Sequence, residues 1–106
     1  MAIKLIYVED DLLLQRMYDL AFADAGFDAK LAKDGTIVLE TILINRPDVI
    51  LMDVMMPNFD GIKTLREIKA HPVTSDIPVI MISAYDDKEL IDKAMSLGAE
   101  RYILKG

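Results

Sequence analysis

The chain contains no cysteine, which excludes disulfides, thiolate zinc sites and cysteine nucleophiles. No apolar run approaches the ~20 residues that cross a bilayer, and the chain opens on strand-like residues rather than a signal peptide. A soluble, cytoplasmic protein with no membrane partner is therefore expected. Its single histidine, His71, precedes Pro72; it is too isolated to ligate a metal and reads as a loop residue. Lys and Arg form no cluster, and twelve of them against eighteen acids leave a net charge of −6. Attraction to phosphate backbones needs clustered cations, so direct nucleic-acid binding is not expected. Internal repeats, low-complexity segments and linkers are also absent. At 106 residues there is room for one domain and one core, and not for two.

What is present is alternation. Ile3 to Val8, Phe27 to Ala32, Val49 to Met52, Val79 to Ile82 and Tyr102 to Leu104 read as strands, the second at an edge. Between them lie amphipathic stretches. Leu13, Leu14, Met17, Leu20 and Ala21 recur at helical spacing before Gly26, and Val38, Leu39, Ile42 and Leu43 form the stripe of a helix opened by Asp34 and Gly35 and stopped by Pro47. Ile62, Leu65 and Ile68 mark a third helix ending near His71-Pro72. Leu90, Ile91, Ala94, Met95 and Leu97 mark a fourth, begun by Asp86 and Asp87 and ended by Gly98. Such alternation demands right-handed crossovers and a doubly wound parallel sheet in an α/β fold.

The polar residues of interest all lie where buried strands end: Glu9 and Asp10, Asp53, Ser83 and Lys105. In a parallel sheet those ends share one edge, where ligands bind. Each has an ordinary reading. Asp53 can cap a turn toward Gly61, and Glu9, Asp10 and Asp11 can be the cap and first-turn acids that a helix N-terminus favours; Asp11 is read as a cap. Ser83 and Lys105 are unremarkable singly, Tyr102 can be a core aromatic, and Met52 and Met56 are read as packing. Jointly they suggest more. If the first and third strands are neighbours, Asp10 and Asp53 come within reach of one ion. Two carboxylates ~4 Å apart repel by about 4 kcal/mol at an effective dielectric of ~20, a cost that a hard divalent cation removes. Oxygen donors describe Mg2+ better than Zn2+. An acidic pocket with Mg2+, one lysine and one hydroxyl suits phosphoryl transfer, with Asp53 as nucleophile and Lys105 and Ser83 stabilising the transferred group.

Along its whole length the sequence resembles the receiver domain of two-component response regulators. The family's acidic pair matches Glu9 and Asp10, its phosphoacceptor Asp53, its Met-Pro and Gly Met56, Pro57 and Gly61, its hydroxyl and alanine Ser83 and Ala84, its switch aromatic Tyr102, and its lysine Lys105. The resemblance implies a five-stranded flavodoxin-like sheet of order 2-1-3-4-5 and a single receiver domain over residues 1–106. It also implies a sensor histidine kinase or phosphotransfer protein as donor to Asp53. Mg2+ would be held by Asp10, Asp53 and the backbone carbonyl of Met55, with Glu9 acting through water. Phosphorylation would draw Ser83 toward the phosphate and turn Tyr102 inward, changing loop 84–87, the fourth helix and the fifth strand. Met55 and Tyr85 would tune loss of the phosphoryl group.

Two departures accompany the match. The family's Lys-Pro is Lys105-Gly106 here; the cis bond of that pair costs ~3 kcal/mol without proline, so Lys105 is expected to be placed less firmly. The family's usual fifth helix is lacking after the fifth strand, leaving a face to be covered by a homodimer, an exchanged segment, or a longer chain. At most the protein is expected to catalyse its own phosphorylation and dephosphorylation. The rivals are a phosphate-independent interaction module and a Mg2+-dependent phosphohydrolase with Asp53 as nucleophile. The latter resembles Asp-x-Asp, and Met55 stands where its second acid belongs. A nucleotide-binding domain is disfavoured, since no Gly-rich loop follows the first strand.

Overall fold

The alternation becomes five sheet strands and four helices in a computed structural model that describes residues 2–32, 37–56 and 59–105. In chain order these are β1 (Lys4–Val8), α1 (Leu12–Asp24), β2 (Asp28–Ala32), α2 (Val38–Ile44), β3 (Val49–Asp53), α3 (Gly61–Ala70), β4 (Val79–Ser83), α4 (Lys88–Ser96) and β5 (Arg101–Leu104). Between β3 and α3, Met55–Met56 pairs antiparallel with Phe59–Asp60. The strands form one parallel sheet in the order β2-β1-β3-β4-β5, with β2 at an edge. That is the expected 2-1-3-4-5 order, whose direction reverses at β1 and β3.

Asp11, Asp60 and Asp87 cap α1, α3 and α4, each side chain accepting two backbone N–H groups of the following turn. These bonds satisfy donors that no intrahelical carbonyl can reach. Asp34 and Gly35 lie outside the described residues. The stops also follow the sequence: α2 ends before Pro47, and Gly26 and Gly98 take positive φ just after α1 and α4.

The two faces of the sheet are unequal. Ile6, Val8, Ile50, Met52, Val79 and Met81 point to one side and are almost fully buried under Val38 and Ile42 of α2, Ile62, Leu65 and Ile68 of α3, and Ala94 of α4. On the other side α1 covers Leu5 and Tyr7, while Val49, Leu51, Ile80 and Ile82 are only half-buried and Ile103 is exposed. Helix α1 buries no residue completely. Its contact is made by Leu14, Tyr18 and Phe22, all half-buried, with the rings of Tyr18 and Phe22 packed edge-on against Tyr7. This corrects the expected stripe: Leu13, Met17, Leu20 and Ala21 are exposed. Helical spacing identified the helix but chose the wrong side, because the aromatic residues fill the space over β1 better. Leu43 and Met95, also expected inside, are exposed at the margins of their stripes.

Gly61 opens α3 at a close backbone approach. A Cβ there would lie 2.2 Å from the carbonyl oxygen of Asp53 and 2.8 Å from that of Val54. The Gly61 N–H also donates to the Val54 carbonyl at 2.8 Å. Gly61→Ala is expected to destabilise the fold by about 1–3 kcal/mol, the usual cost of overpacking, read as a lower urea midpoint at unchanged slope. An unchanged midpoint would show that this crossing yields freely.

Candidate functional site

The expected residues converge at the carboxyl edge of the sheet. Asp53 ends β3, and its side chain is 7% exposed. Because Val8 pairs with Met52, Glu9 emerges beside Asp53, with its side chain 3% exposed. Asp10, one residue further, is exposed. Carboxylate oxygens of Glu9, Asp10 and Asp53 all lie within 4.8 Å of one another. From the far side of the site, Ser83 pairs with Leu104, so Lys105 leaves β5 next to them, and its N–H donates to the Ser83 carbonyl at 2.7 Å.

Lys105 joins the cluster together. Its Nζ donates to Asp53 Oδ2 at 2.6 Å and to Glu9 Oε1 at 3.1 Å. Burial pulls the ammonium pKa down, but the hydrogen bonds and charges of Asp53 and Glu9 outweigh it and leave the pKa raised. The lysine is therefore held by two partners; Gly106, on which the expectation of looser placement rested, lies outside the described residues. Attraction to two buried carboxylates holds the Lys105 ammonium.

Three carboxylates face one ammonium, so the cluster carries excess negative charge that each carboxylate pair resists by about 4 kcal/mol at ~4 Å and an effective dielectric of ~20. All its donors are oxygens, and Asp10 opens it to solvent. That set fits a hard divalent cation, with the exposed side left for water or a phosphate oxygen. Met55 presents its backbone N–H to Asp53 Oδ1 at 3.2 Å, while its side chain is turned outward.

The hydroxyl expected to respond is buried: Ser83 Oγ accepts the N–H of Tyr85 at 2.9 Å. Tyr102 is half-buried against the core, and its hydroxyl donates to the carbonyl of the same Tyr85 at 3.0 Å. The backbone of Tyr85 thus ties the two expected switch residues together. Asp11 is the helix cap it was read to be, and His71 accepts only the N–H of Val73 within its own loop.

Two residues at the site were not singled out from the sequence. Gln15 Nε2 donates to the Glu9 carbonyl at 2.7 Å. Tyr18 lines a small crevice with Tyr7, Glu9 and Asp53; burial raises its hydroxyl pKa, with Lys105 opposing and Glu9 and Asp53 adding to the rise. Only their shared face on α1, three residues apart, would have marked them. That signal is empty until the face of α1 toward the sheet is known.

Comparison with known proteins agrees with this geometry. The family described as "Response regulator receiver domain" matches residues 5–106. The chain is 37% identical over 102 residues to the regulatory protein AtoC of Escherichia coli strain K12, covering 96% of this chain and 22% of that protein. It is 30% identical over 105 residues to the response regulator MprA of Mycobacterium sp. strain KMS, covering 99% of this chain and 45% of that protein. It therefore spans less than half the length of these curated relatives. Among solved structures, the phosphorylated cyanobacterial phytochrome response regulator RcpA superimposes with a TM-score of 0.91 at 29% identity, over 100% of this chain and 82% of that one. No helix among the described residues is long and apolar enough to cross a membrane. With its acidic edge, strand order and sequence in agreement, the chain belongs to the response regulator receiver domain family.

Proposed function

We propose that residues 1–106 act as a cytoplasmic, phosphorylation-dependent signalling switch in which Asp53 accepts a phosphoryl group from a histidine kinase or phosphotransfer protein. The observation that carries this reading is the contact of Lys105 with both Asp53 and Glu9, which gathers three distant segments at one carboxylate. In the transfer, an Asp53 carboxylate oxygen bonds to phosphorus as the donor's phosphorus–nitrogen bond breaks, and the bonding pair stays on the departing imidazole. Lys105 balances the charge of the arriving oxygens, and the Met55 N–H holds the carboxylate oxygen it already contacts. Asp10, Asp53 and the backbone carbonyl of Met55 would hold Mg2+, with Glu9 behind water. Bound there, the ion would supply charge neutralisation on the transferring group.

Transmission runs through Tyr85. If Ser83 turns to donate to the new phosphate, its grip on the Tyr85 N–H loosens, and the Tyr102 bond to the Tyr85 carbonyl is strained with it. Loop 84–87 and the adjoining surface of α4 and β5 then shift population toward a second arrangement. A phosphohydrolase is disfavoured because outward-facing Met55 offers no second acid. The intact charge cluster likewise disfavours a module that has given up phosphate, since such a module gains nothing from burying two carboxylates around a lysine.

Incubation with Mg2+ and acetyl phosphate is expected to add one base-labile phosphoryl group, seen by intact mass and lost in Asp53→Asn. Labelling that persists in the mutant would remove Asp53 from this role. Tyr102→Phe is expected to leave labelling intact while amides of loop 84–87 exchange about fivefold faster, the effect of losing roughly 1 kcal/mol from one hydrogen bond. Unchanged exchange would show that the Tyr102 hydroxyl does not restrain the loop.

A further inference from the structure

Asp10 differs from its neighbours in the acidic cluster. Glu9 accepts the N–H groups of Asp10 and Asp11 at 3.1 Å each and pairs with Lys105, and Asp53 is held by Lys105 and Met55. Among the described residues no hydrogen bond holds the Asp10 carboxylate, which is exposed. Its position is therefore set by its backbone.

That backbone is pinned from two sides. The Glu9 carbonyl and the Asp10 N–H belong to one planar peptide group and point in opposite directions. Gln15 Nε2 donates to the carbonyl at 2.7 Å, while Glu9 Oε2 accepts the N–H at 3.1 Å. Rotation of the plane would break both bonds and swing the Asp10 side chain off the cluster. Gln15 is anchored in turn: the Tyr7 hydroxyl donates to the Asp19 carboxylate and reaches the Gln15 carbonyl at 3.5 Å, tying this turn of α1 to β1. These polar contacts act beside the half-buried packing of Leu14, Tyr18 and Phe22 in holding α1 over the sheet.

We infer that Gln15 is a positioning residue for the divalent-cation site: its amide locks the Glu9–Asp10 peptide so that the Asp10 carboxylate meets those of Glu9 and Asp53. This rests on the reading of that cluster as a cation site. Gln15 touches neither ion nor phosphoryl group. Its contribution is a donor to one carbonyl, which an apolar or acceptor-only side chain cannot supply.

The test titrates Mg2+ alone into the intact chain, read by tyrosine fluorescence, which suits a protein with four tyrosines and no tryptophan and with Tyr18 beside the cluster. Gln15→Leu keeps the bulk and removes the donor; its Mg2+ affinity is expected to fall about tenfold, the lower end for groups that orient metal ligands. Gln15→Lys restores a donor and is expected to stay within about threefold of wild type, although its added positive charge by itself weakens cation binding. If Gln15→Leu does not fold, as judged by its melting temperature without Mg2+, Gln15→Glu replaces it: the shape is kept, the donor is lost, and the added negative charge favours cations. Weaker binding there supports the proposal and tighter binding overturns it. Gln15→Leu binding as wild type does, or Gln15→Lys binding as weakly as Gln15→Leu, also overturns it. Asp10→Asn keeps the two readings apart. If wild type shows no Mg2+ response that Asp10→Asn diminishes, the cation site itself fails, and the role of Gln15 with it.

Discussion

The whole arrangement turns on one ammonium between two buried carboxylates. Lys105 reaches Asp53 and Glu9 from the opposite end of the chain, at 2.6 and 3.1 Å, and each partner is nearly closed to water. Burying such charges is expensive, and a buried ion pair is weak evidence of stability. Apolar side chains in the same space would fold at least as well. What the lysine gives is one positive charge among three acids, which offsets part of their mutual repulsion. Every other feature of the site serves to bring these three side chains to one point.

The sheet does this through register. Parallel pairing of β1 with β3 and of β4 with β5 places the last residues of separate strands side by side, so a single edge collects residues separated by 52 and 96 positions. A one-residue slip would turn each side chain to the opposite face, and the deep core on the α2, α3 and α4 side prevents it. Gly61 belongs to the same device, since only a residue without a Cβ lets α3 begin against the carbonyl of Asp53. Stability on one face thus secures the geometry at the edge.

The other face is held differently. Helix α1 lies on β1 through two aromatic rings and a leucine, and through the polar contacts of Tyr7 with Asp19 and of Gln15 with Glu9. Polar contacts are directional where apolar packing is not, so they fix the angle of the helix and of the loop leading into it. The loop after β4 follows the same logic. Both polar groups of the Tyr85 backbone are held, one by Ser83 and one by Tyr102, which ties the short segment after β4 to a buried hydroxyl and to β5.

The sequence by itself determined the α/β class, the approximate strand and helix positions, the cap at Asp11 and the helix start at Asp87, and the candidate set Glu9, Asp10, Asp53, Ser83, Tyr102 and Lys105, whereas the cap at Asp60 came from the structure. These are legible because periodicity and local hydrogen bonding act over a few residues, and because the resemblance carried the long-range set. Only the tertiary structure decided which side of α1 meets the sheet, overturning the assignment of Leu13, Met17, Leu20 and Ala21 to the interior. It alone decided that Lys105 is gripped by two acids, that Tyr85 links Ser83 to Tyr102, and that Gln15 belongs to the site. The physical reason is common to all of these. Whether an exposed-looking glutamine or a terminal lysine has a partner depends on what another part of the chain brings within 3 Å, and apolar spacing gives the period of a helix but not its rotation about its own axis.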